Sequence, residues 1–375
     1  MKRMKRFFKL SLICIAIVFI LALVFVITIL FSNPSCKYCE KNVEWLIKTF
    51  EENDAGFQYI LDMRGRAVYE SHNQRILERA RSATSLLECL HIMNEWTRFF
   101  RQGHIGVQRN SPVISQLDRW FGRWLHDISS QNPYLERLNE TTLYLRIPSF
   151  AMHQQQAIEA VLAANREKIL ATENLIIDLR DNGGGSDASY QELLPFLYTN
   201  PIYAVNVEFL STPHNNKMFL NFATNPEFQD FFEEEKREMF TDFYNRLQAR
   251  LGEFVNLWED EVSVIQFDTV YVFPKNIGII INGGVASTAE QFLLAAKQST
   301  KVRLFGTTTF GALDISNMHF IDSPCGRFRL HYGISRSLRL PDMVIDDIGL
   351  QPDVFICPTI PQYRWVEFVN DILNQ

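Results

Sequence analysis

The chain has 375 residues, of which 47% are hydrophobic and 21% are charged, a composition typical of a globular protein and unlike a disordered or fibrous one. That length predicts one large domain or two smaller ones. Residues 1–31 carry five basic groups and no acidic ones, so the remainder has 32 Lys and Arg against 43 Asp and Glu, a formal charge of −11. This acidic balance excludes nucleic acid as the expected partner, because binding it requires a basic surface.

The amino terminus predicts a membrane anchor. Met1–Lys9 is basic, and Leu10–Phe31 then runs for 22 residues without a charge, which is long enough to cross a bilayer as a helix. Basic residues before this span and none directly after it predict a cytoplasmic amino terminus. We therefore expect a single-pass protein of the cell membrane whose body lies on the extracytoplasmic side, periplasmic or extracellular. A cleaved signal peptide is the alternative, although no A-x-A-like site follows the span.

Six cysteines are present, and two of them, Cys36 and Cys39, stand just after the predicted span. A four-cysteine zinc site would need a second close pair, which the remaining cysteines do not form. A redox pair would need a βαβ context, which is lacking here. The spacing therefore predicts either a local disulfide or two inert thiols.

The amino-terminal third predicts helices. Val43, Leu46, Ile47 and Phe50 lie at helical spacing, and a second helical region runs from about Asn73 to Phe100. We interpret residues 1–34 as tail and anchor, and residues 35–139 as a small helical subdomain and linker. A histidine between glycines, Gly103-His104-Ile105-Gly106, follows the helical region.

Residues 140–375 predict an α/β core. A strand at 142–147, an amphipathic helix at 157–170 and a buried strand at 174–180 lead into the glycine turn at 181–186. Residues 206–260 resemble an insertion of one or two helices with an aromatic face, for which ordinary packing is favoured over a lid. Further strands are predicted at 302–305, 318–321 and 328–334.

The segment Asn282–Glu290 repeats the pattern of buried strand, glycine turn and helix. Ser287 and Glu290 match a helix capping box. The same Ser287 hydroxyl would also lie at the positive end of a helix beside unpaired N–H groups, as an acyl-transfer nucleophile requires. A base for such a serine is left open among His104, His319, His331 and the nearby lysines.

Metal and nucleotide chemistry are not expected. There is no H-E-x-x-H pattern, and the glycine turn at 181–186 lacks the Lys-Ser/Thr of a phosphate loop and the G-x-G-x-x-G spacing. The N–H groups of that turn could instead stabilise an oxyanion. We therefore expect no metal and no cofactor.

Several segments in order resemble the tail-specific, or carboxyl-terminal-processing, serine peptidases, including their tricorn-like branch. The matching segments are Leu175–Gly185 ("LIIDLRxNxGG"), Asn282–Glu290 (the nucleophile segment), Phe305–Gly311 ("GxxTFG") and Ile348–Asp353 ("GxxPD"). The resemblance covers about residues 140–357 and implies a crotonase/ClpP-like β-β-α core with a protein or peptide substrate. The stretch between Val107 and Thr141 is too short for an intact PDZ domain.

The resemblance also implies site residues. Ser287 matches the nucleophile, and Ala312 replaces the lysine of the Ser-Lys branch, which leaves the tricorn-like assignment of His104 as the base. The register of the acidic loop assigns Asp346 as the third member, with Asp347 as its alternative and an aspartate where the family usually has glutamate. Some members carry a serine where this chain has Gly103.

These assignments predict a membrane-anchored serine endopeptidase that uses Ser287, His104 and Asp346. Backbone N–H groups of Gly184 and Thr288 would form its oxyanion hole. The alternative is an inactive family member that binds peptides or apolar ligands. The sequence does not predict an oligomeric state.

Overall fold

The computed structural model describes residues 38–110, 132–228 and 232–375. The predicted membrane span at Leu10–Phe31 and Cys36 lie outside these residues. None of the helices in the described part of the chain is long and apolar enough to cross a bilayer. The anchor therefore stays a prediction.

The described helices and strands alternate along the carboxyl-terminal part of the chain, whereas the amino-terminal part is helical. The α-helices are α1 (Cys39–Asn53), α2 (Phe57–Arg64), α3 (Arg66–Ser82), α4 (Leu86–Thr97), α5 (Gln155–Ile169), α6 (Leu194–Leu197), α7 (Lys217–Thr224), α8 (Glu234–Gln248), α9 (Thr288–Ala296) and α10 (Trp365–Leu373). The strands are β1 (Gly106–Arg109), β2 (Tyr134–Arg137), β3 (Thr142–Arg146), β4 (Asn174–Asp178), β5 (Ile202–Val205), β6 (Val207–Leu210), β7 (Phe254–Asn256), β8 (Val262–Ile265), β9 (Asn276–Ile281), β10 (Val302–Gly306), β11 (Ile315–Asp322), β12 (Phe328–Ser337) and β13 (Val354–Phe355).

A six-stranded sheet forms the centre of the α/β part. Its order is β13-β10-β9-β4-β3-β2, and all neighbours are parallel except β2, which runs antiparallel to β3. Side chains of α5 and α9 pack on one face and those of α10 on the other. Because β4 and β9 are covered on both faces, their sequences are continuous apolar runs instead of alternating patterns. The predicted α/β architecture is confirmed.

Two adjacent strands of this sheet position the site. Strands β4 and β9 pair in parallel, with Asp178 opposite Ile280. The glycine turn at 181–186 follows β4, and the segment at 282–287 follows β9. Both turns therefore meet at the carboxyl edge of the sheet, where open parallel sheets bind ligands.

An antiparallel sheet carries the second side of the site. Strands β1 and β6 pair with different parts of one edge of β12, and β7 pairs with β6. Strand β11 pairs with the opposite edge of β12. Helices α1 and α4 share one hydrophobic core with β12, so the helical region packs directly on this sheet and has no separate core. The two strands β5 and β8 form a small ribbon of their own. The boundaries at residues 34 and 139 stay predictions.

The helical region predicted from Asn73 to Phe100 is two helices, because a capping arrangement separates α3 from α4. The Ser85 hydroxyl accepts the N–H of Glu88 over 3.1 Å. The Glu88 carboxylate in turn accepts the N–H of Thr84 over 2.8 Å. This Ser-x-x-Glu pattern starts a helix, and the periodicity alone did not reveal it.

The local disulfide predicted for Cys39 is wrong. Cys39 is bonded to Cys89, 50 residues away, with 5.5 Å between their Cα atoms. The bond joins the start of α1 to α4. Cys39 is therefore not an inert thiol, and it connects distant segments.

The insertion at 206–260 contains two helices, as predicted, and also two strands. Helices α7 and α8 pack through aromatic rings, including the pairs Phe219–Phe240 and Phe222–Phe240. Strands β6 and β7 extend the antiparallel sheet. Ordinary packing, the favoured interpretation of its aromatic face, accounts for the segment.

Candidate active site

Ser287 lies at the junction between the turn after β9 and helix α9. Its φ of 58° is positive, which is rare for a residue with a side chain and costs about 1–3 kcal/mol. Ser287 is half-buried. Strained backbone of this kind clusters at functional sites, because surrounding contacts must hold it in place.

Glu290 provides those contacts. Its fully buried carboxylate accepts the Ser287 N–H over 3.1 Å, which is the reciprocal half of the predicted capping box. The same carboxylate accepts the Thr309 hydroxyl at 2.5 Å and the N–H groups of Gly311 and Ala312 at 2.8 and 2.9 Å. One side chain thus fixes both the nucleophile and the 309–312 loop.

The glycine turn packs directly on the nucleophile. A Cβ on Gly184, whose φ is +92°, would lie 2.7 Å from the Ala286 carbonyl oxygen and 2.8 Å from the Thr288 nitrogen. Only glycine permits this approach. The Asn282 side-chain oxygen accepts the Asp181 N–H over 2.9 Å and locks the two turns together.

The predicted oxyanion donors differ in availability. The Gly184 N–H donates to the Asn182 side-chain oxygen over 3.0 Å, so the prediction that it stabilises an oxyanion is not supported. The close packing of Gly184 against Ala286 and Thr288 explains instead why this position is a glycine. The Thr288 N–H, at the first position of α9, has no acceptor among the described residues. This unpaired N–H group therefore lies at the positive end of the helix dipole.

His104 reaches the serine from the loop between α4 and β1. Its Nε2 lies 3.1 Å from the Ser287 Oγ, and its Nδ1 lies 2.6 Å from the Ile315 carbonyl oxygen. A carbonyl oxygen only accepts, so Nδ1 carries the proton and Nε2 presents its lone pair to the hydroxyl. This tautomer is the one that a general base requires.

The imidazole is kept neutral. Burial, with the Arg101 guanidinium and His331 nearby, lowers the pKa of His104 to about 4, against the opposing bond to Ile315. The side chain nonetheless retains some solvent exposure.

Asp346 does not contact the imidazole, which corrects the prediction that it orients His104 directly. Its carboxylate accepts the N–H groups of Leu313 and Asp314 at 2.6 and 2.8 Å and that of Ile315 at 3.2 Å. These bonds occupy both oxygens, and aspartate is one methylene shorter than the glutamate usual in the family. Asp346 thus holds the chain segment whose carbonyl contacts His104. Burial and the charge of Asp314 raise its pKa to about 6.

Asp347, the alternative third member, contacts the histidine loop only through the backbone. Its carboxylate accepts the Gln102 N–H over 2.8 Å. The loop is held more firmly by Arg101, whose guanidinium forms a buried fork with Asp54 at 2.5 and 3.0 Å. Arg101 also donates to the His104 carbonyl oxygen over 3.2 Å.

The other candidate bases lie elsewhere. His319 projects from β11 toward Tyr332, and His331 lies behind β1 against Gly106. Lys297 pairs with Asp353 at 2.9 Å, and Lys301 donates to the Tyr271 carbonyl oxygen. Of the sequence candidates, only His104 meets Ser287 in the described part of the chain.

Sequence reasoning missed Arg101, Asp54 and the Ile315 carbonyl. Their partners are distant in the chain, and a backbone carbonyl leaves no trace in residue identity. The asparagines flanking the two glycine turns, Asn182 and Asn282, did carry a signal, because asparagine side chains commonly bond to turn backbone.

The profile described as Peptidase family S41 matches residues 141–356, more than half of the chain. No curated protein matches the sequence. A lipoprotein from Streptococcus agalactiae is similar in structure, with 17% identity, a TM-score of 0.50 and coverage of 92% of this chain and 98% of that one.

Two further solved structures are also similar. A putative peptidase from Parabacteroides merdae has 13% identity and a TM-score of 0.57, with coverage of 90% of this chain and 97% of that one. Mature CPAF complexed with lactacystin has 14% identity and a TM-score of 0.62, with coverage of 91% and 98%. At such identities, these likenesses show the shared fold alone.

Proposed function

Because the chain belongs to peptidase family S41, we propose that it is a serine endopeptidase in which Ser287 is the nucleophile and His104 the general base. One observation carries the proposal. The Ser287 Oγ lies 3.1 Å from an imidazole nitrogen whose ring partner is held at 2.6 Å by a carbonyl. Both distances are within hydrogen-bond reach, and together they set the tautomer.

The proton follows the path that these contacts allow. As the Ser287 Oγ attacks the peptide carbonyl, its proton passes to Nε2 of His104. The imidazolium then gives this proton to the leaving amine nitrogen, and an ester to Ser287 remains. A water molecule then attacks the ester, again losing its proton to Nε2, and Ser287 regains its hydrogen when the carboxylic product leaves.

The third component of this mechanism is a backbone carbonyl. The Ile315 oxygen accepts the Nδ1–H and stabilises the imidazolium through a dipole instead of a full negative charge. Asp346 is then a positioning residue, because it fixes the N–H groups of Asp314 and Ile315, which directly precede that carbonyl in the chain. We expect weaker assistance than from a contacting carboxylate.

The developing oxyanion would bind at the amino-terminal end of α9. The Thr288 N–H is available there and benefits from the helix dipole. One such donor is typically worth about 2.7–4 kcal/mol in the transition state.

We also propose that the peptidase acts outside the cytoplasmic membrane and is anchored by Leu10–Phe31. The uncharged 22-residue span behind a basic tail supports this location. The Cys39–Cys89 bond supports it independently, because structural disulfides persist in oxidising compartments.

A fluorophosphonate probe and a casein digest test the proposal on the full-length protein in detergent. We expect the wild type to be labelled and to cleave casein, and Ser287→Ala and His104→Ala to lose activity on the order of 10⁶-fold. Ser299→Ala and His91→Ala are matched controls outside the site. Full cleavage by either site variant would contradict the mechanism.

An inactive peptide-binding member is the second candidate, favoured by the lack of contact between Asp346 and His104. A folded protein that binds peptides but neither reacts with the probe nor cleaves them would support it. Folding is checked by the disulfide and by a cooperative thermal transition.

A further inference from the structure

Cys325, in the turn between β11 and β12, takes part in a second disulfide. Its partner is not in the Cys39–Cys89 pair, which is closed, and it is not Cys357, which is a free and exposed thiol. The chain has six cysteines, so Cys14 and Cys36 remain. Both lie outside the described residues. The partner of Cys325 is therefore one of these two.

The surroundings of Cys325 favour Cys36. The Cys325 Sγ lies 3.2 Å from the side-chain oxygen of Asn42, in the first turn of α1. The Asn42 amide in turn donates to the Tyr38 carbonyl oxygen over 3.1 Å. The sulfur is thus held at the point where the chain enters α1. Cys36 stands only two residues before Tyr38 in the sequence.

The reach of the chain separates the two candidates. Two residues of extended chain span at most about 7 Å, and the Cα atoms of a disulfide are about 4.4–6.8 Å apart, so Cys36 is within reach of Cys325. Cys14 belongs to the uncharged span at Leu10–Phe31, 24 residues before Tyr38. A cysteine inside a bilayer would not meet a turn of the body outside it.

The turn presents its sulfur from a fixed backbone. The Gly326 N–H donates to the Ser323 carbonyl oxygen, and the Ser323 N–H to that of Phe328, both over 2.8 Å. The Ser323 hydroxyl accepts the Phe328 N–H over 3.1 Å. Cys325 also packs on the hydrophobic core that the helices share with the antiparallel sheet. A bond at Cys325 therefore anchors whatever it joins to a rigid part of the body.

We propose that Cys36 and Cys325 form a structural disulfide that fastens the β11–β12 turn to the stem, residues 32–38, which leads from the predicted span into α1. In its formation the two thiols lose two protons and two electrons to a protein disulfide of the oxidising compartment, which is reduced to a dithiol by exchange. The proposal rests on the extracytoplasmic location proposed above and is independent of the catalytic mechanism.

The bond sets which side of the body faces the membrane. The chain from Phe31, at the end of the predicted span, to Cys36 is five residues long and extends to at most about 18 Å. The β11–β12 turn is thereby kept near the bilayer surface. Strand β11 runs from Ile315, whose carbonyl oxygen contacts His104, to Asp322 beside the turn. The catalytic residues therefore lie at the end of β11 away from the membrane.

Peptide mapping tests the bond directly. Full-length protein is exported, treated with an alkylating agent before lysis and digested with trypsin without reductant. Cleavage after Lys37 separates Cys36 from Cys39, so the two disulfides give different linked peptides. Cys14 and Cys36 share one tryptic peptide, and the Cys14→Ser variant is therefore used. We expect the peptides of Cys36 and Cys325 to be linked and to separate on reduction.

A count of free thiols provides the second measurement, from the mass that a maleimide adds in denaturant without reductant. In the Cys14→Ser background we expect one free thiol, that of Cys357. Cys36→Ser and Cys325→Ser should each raise the count to two, because each releases the other cysteine. Cys357→Ser is the matched control and should lower the count to none.

Two results overturn the proposal: a free thiol at Cys325, or a bond from Cys325 to any cysteine other than Cys36. The second includes a bond between two copies, which a non-reducing gel shows as a dimer. An intact Cys39–Cys89 bond in the same protein leaves the proposed location standing, whereas free thiols at every cysteine overturn the location as well. Fluorophosphonate labelling should persist in Cys36→Ser, so unlabelled protein with both disulfides closed contradicts the catalytic proposal alone.

Discussion

Ser287 and His104 meet from segments that are held by different kinds of contact. Ser287 follows a buried strand of the parallel sheet and is fixed by Glu290, three residues away. His104 lies in a loop fixed by Asp54 and Ile315, 47 and 211 residues from their partners. The nucleophile is therefore held by a local contact in addition to the packing of the glycine turn, whereas the base depends on long-range assembly alone. Errors in packing should displace the base before the nucleophile.

The largest expected effect comes from breaking the ion pair behind the base. Arg101→Met leaves Asp54 charged and unpaired in the interior, which costs about 3–5 kcal/mol of unfolding free energy. Thermal or denaturant unfolding measures it. Arg329→Met, which breaks an exposed pair with Asp322, should cost less than about 1 kcal/mol. A small loss in Arg101→Met would mean that the histidine loop is held by other contacts.

Glu290→Gln tests the nucleophile side. The amide retains one acceptor oxygen and turns its NH₂ group toward N–H donors, so we expect a loss of about 2–4 kcal/mol in stability. The labelling rate of Ser287 should fall with it, because the Ser287 N–H loses its acceptor. If labelling stays at the wild-type rate, the strained backbone does not depend on Glu290. Glu192→Gln is the matched control.

Asp346→Asn separates positioning from direct contact. If Asp346 acts only through the Ile315 carbonyl, we expect kcat to fall about 100-fold with little change in KM, less than the roughly 10⁴-fold loss for a triad carboxylate that contacts the imidazole. The kcat of Asp346→Glu should not exceed that of the wild type. A loss near 10⁴-fold would indicate that Asp346 reaches the imidazole during catalysis.

The pH profile gives the smallest effect. His104 must be neutral to accept a proton, and its pKa is lowered to about 4. Protonation of His104 should therefore lower kcat/KM only near pH 4, whereas a partial decline near pH 6 is expected from Asp346, whose pKa is raised to about 6. The same lowered pKa means that folding stability from this group is present above about pH 6.5 and is lost toward pH 4. An acid limb at or above pH 6.5 would show that His104 is better hydrated than its surroundings imply.

The comparison also explains what the sequence could predict. The strand-turn-helix segments around Asp181 and Ser287 were recognisable, because apolar runs, glycines and a capping pattern are local signals. The Cys39–Cys89 bond, the Arg101–Asp54 pair and the Ile315 contact were not, because each joins segments that only the completed fold brings together. Asp346 lies between these cases. The sequence pattern singles out its position in the acidic loop. It does not show that three backbone N–H groups bind the carboxylate and hold it away from the imidazole.

Gly103 and Ala312 limit how the site can change in evolution. A Cβ on Gly103 would lie 2.3 Å from the Cβ of Ala312. Any side chain at 103, including the serine that the resemblance places there, would therefore force the loop at Ala312 to shift. Ala312→Gly would relieve this collision but confers no new chemistry by itself. Gain of that serine thus depends on the residue at 312, which makes the two positions epistatic.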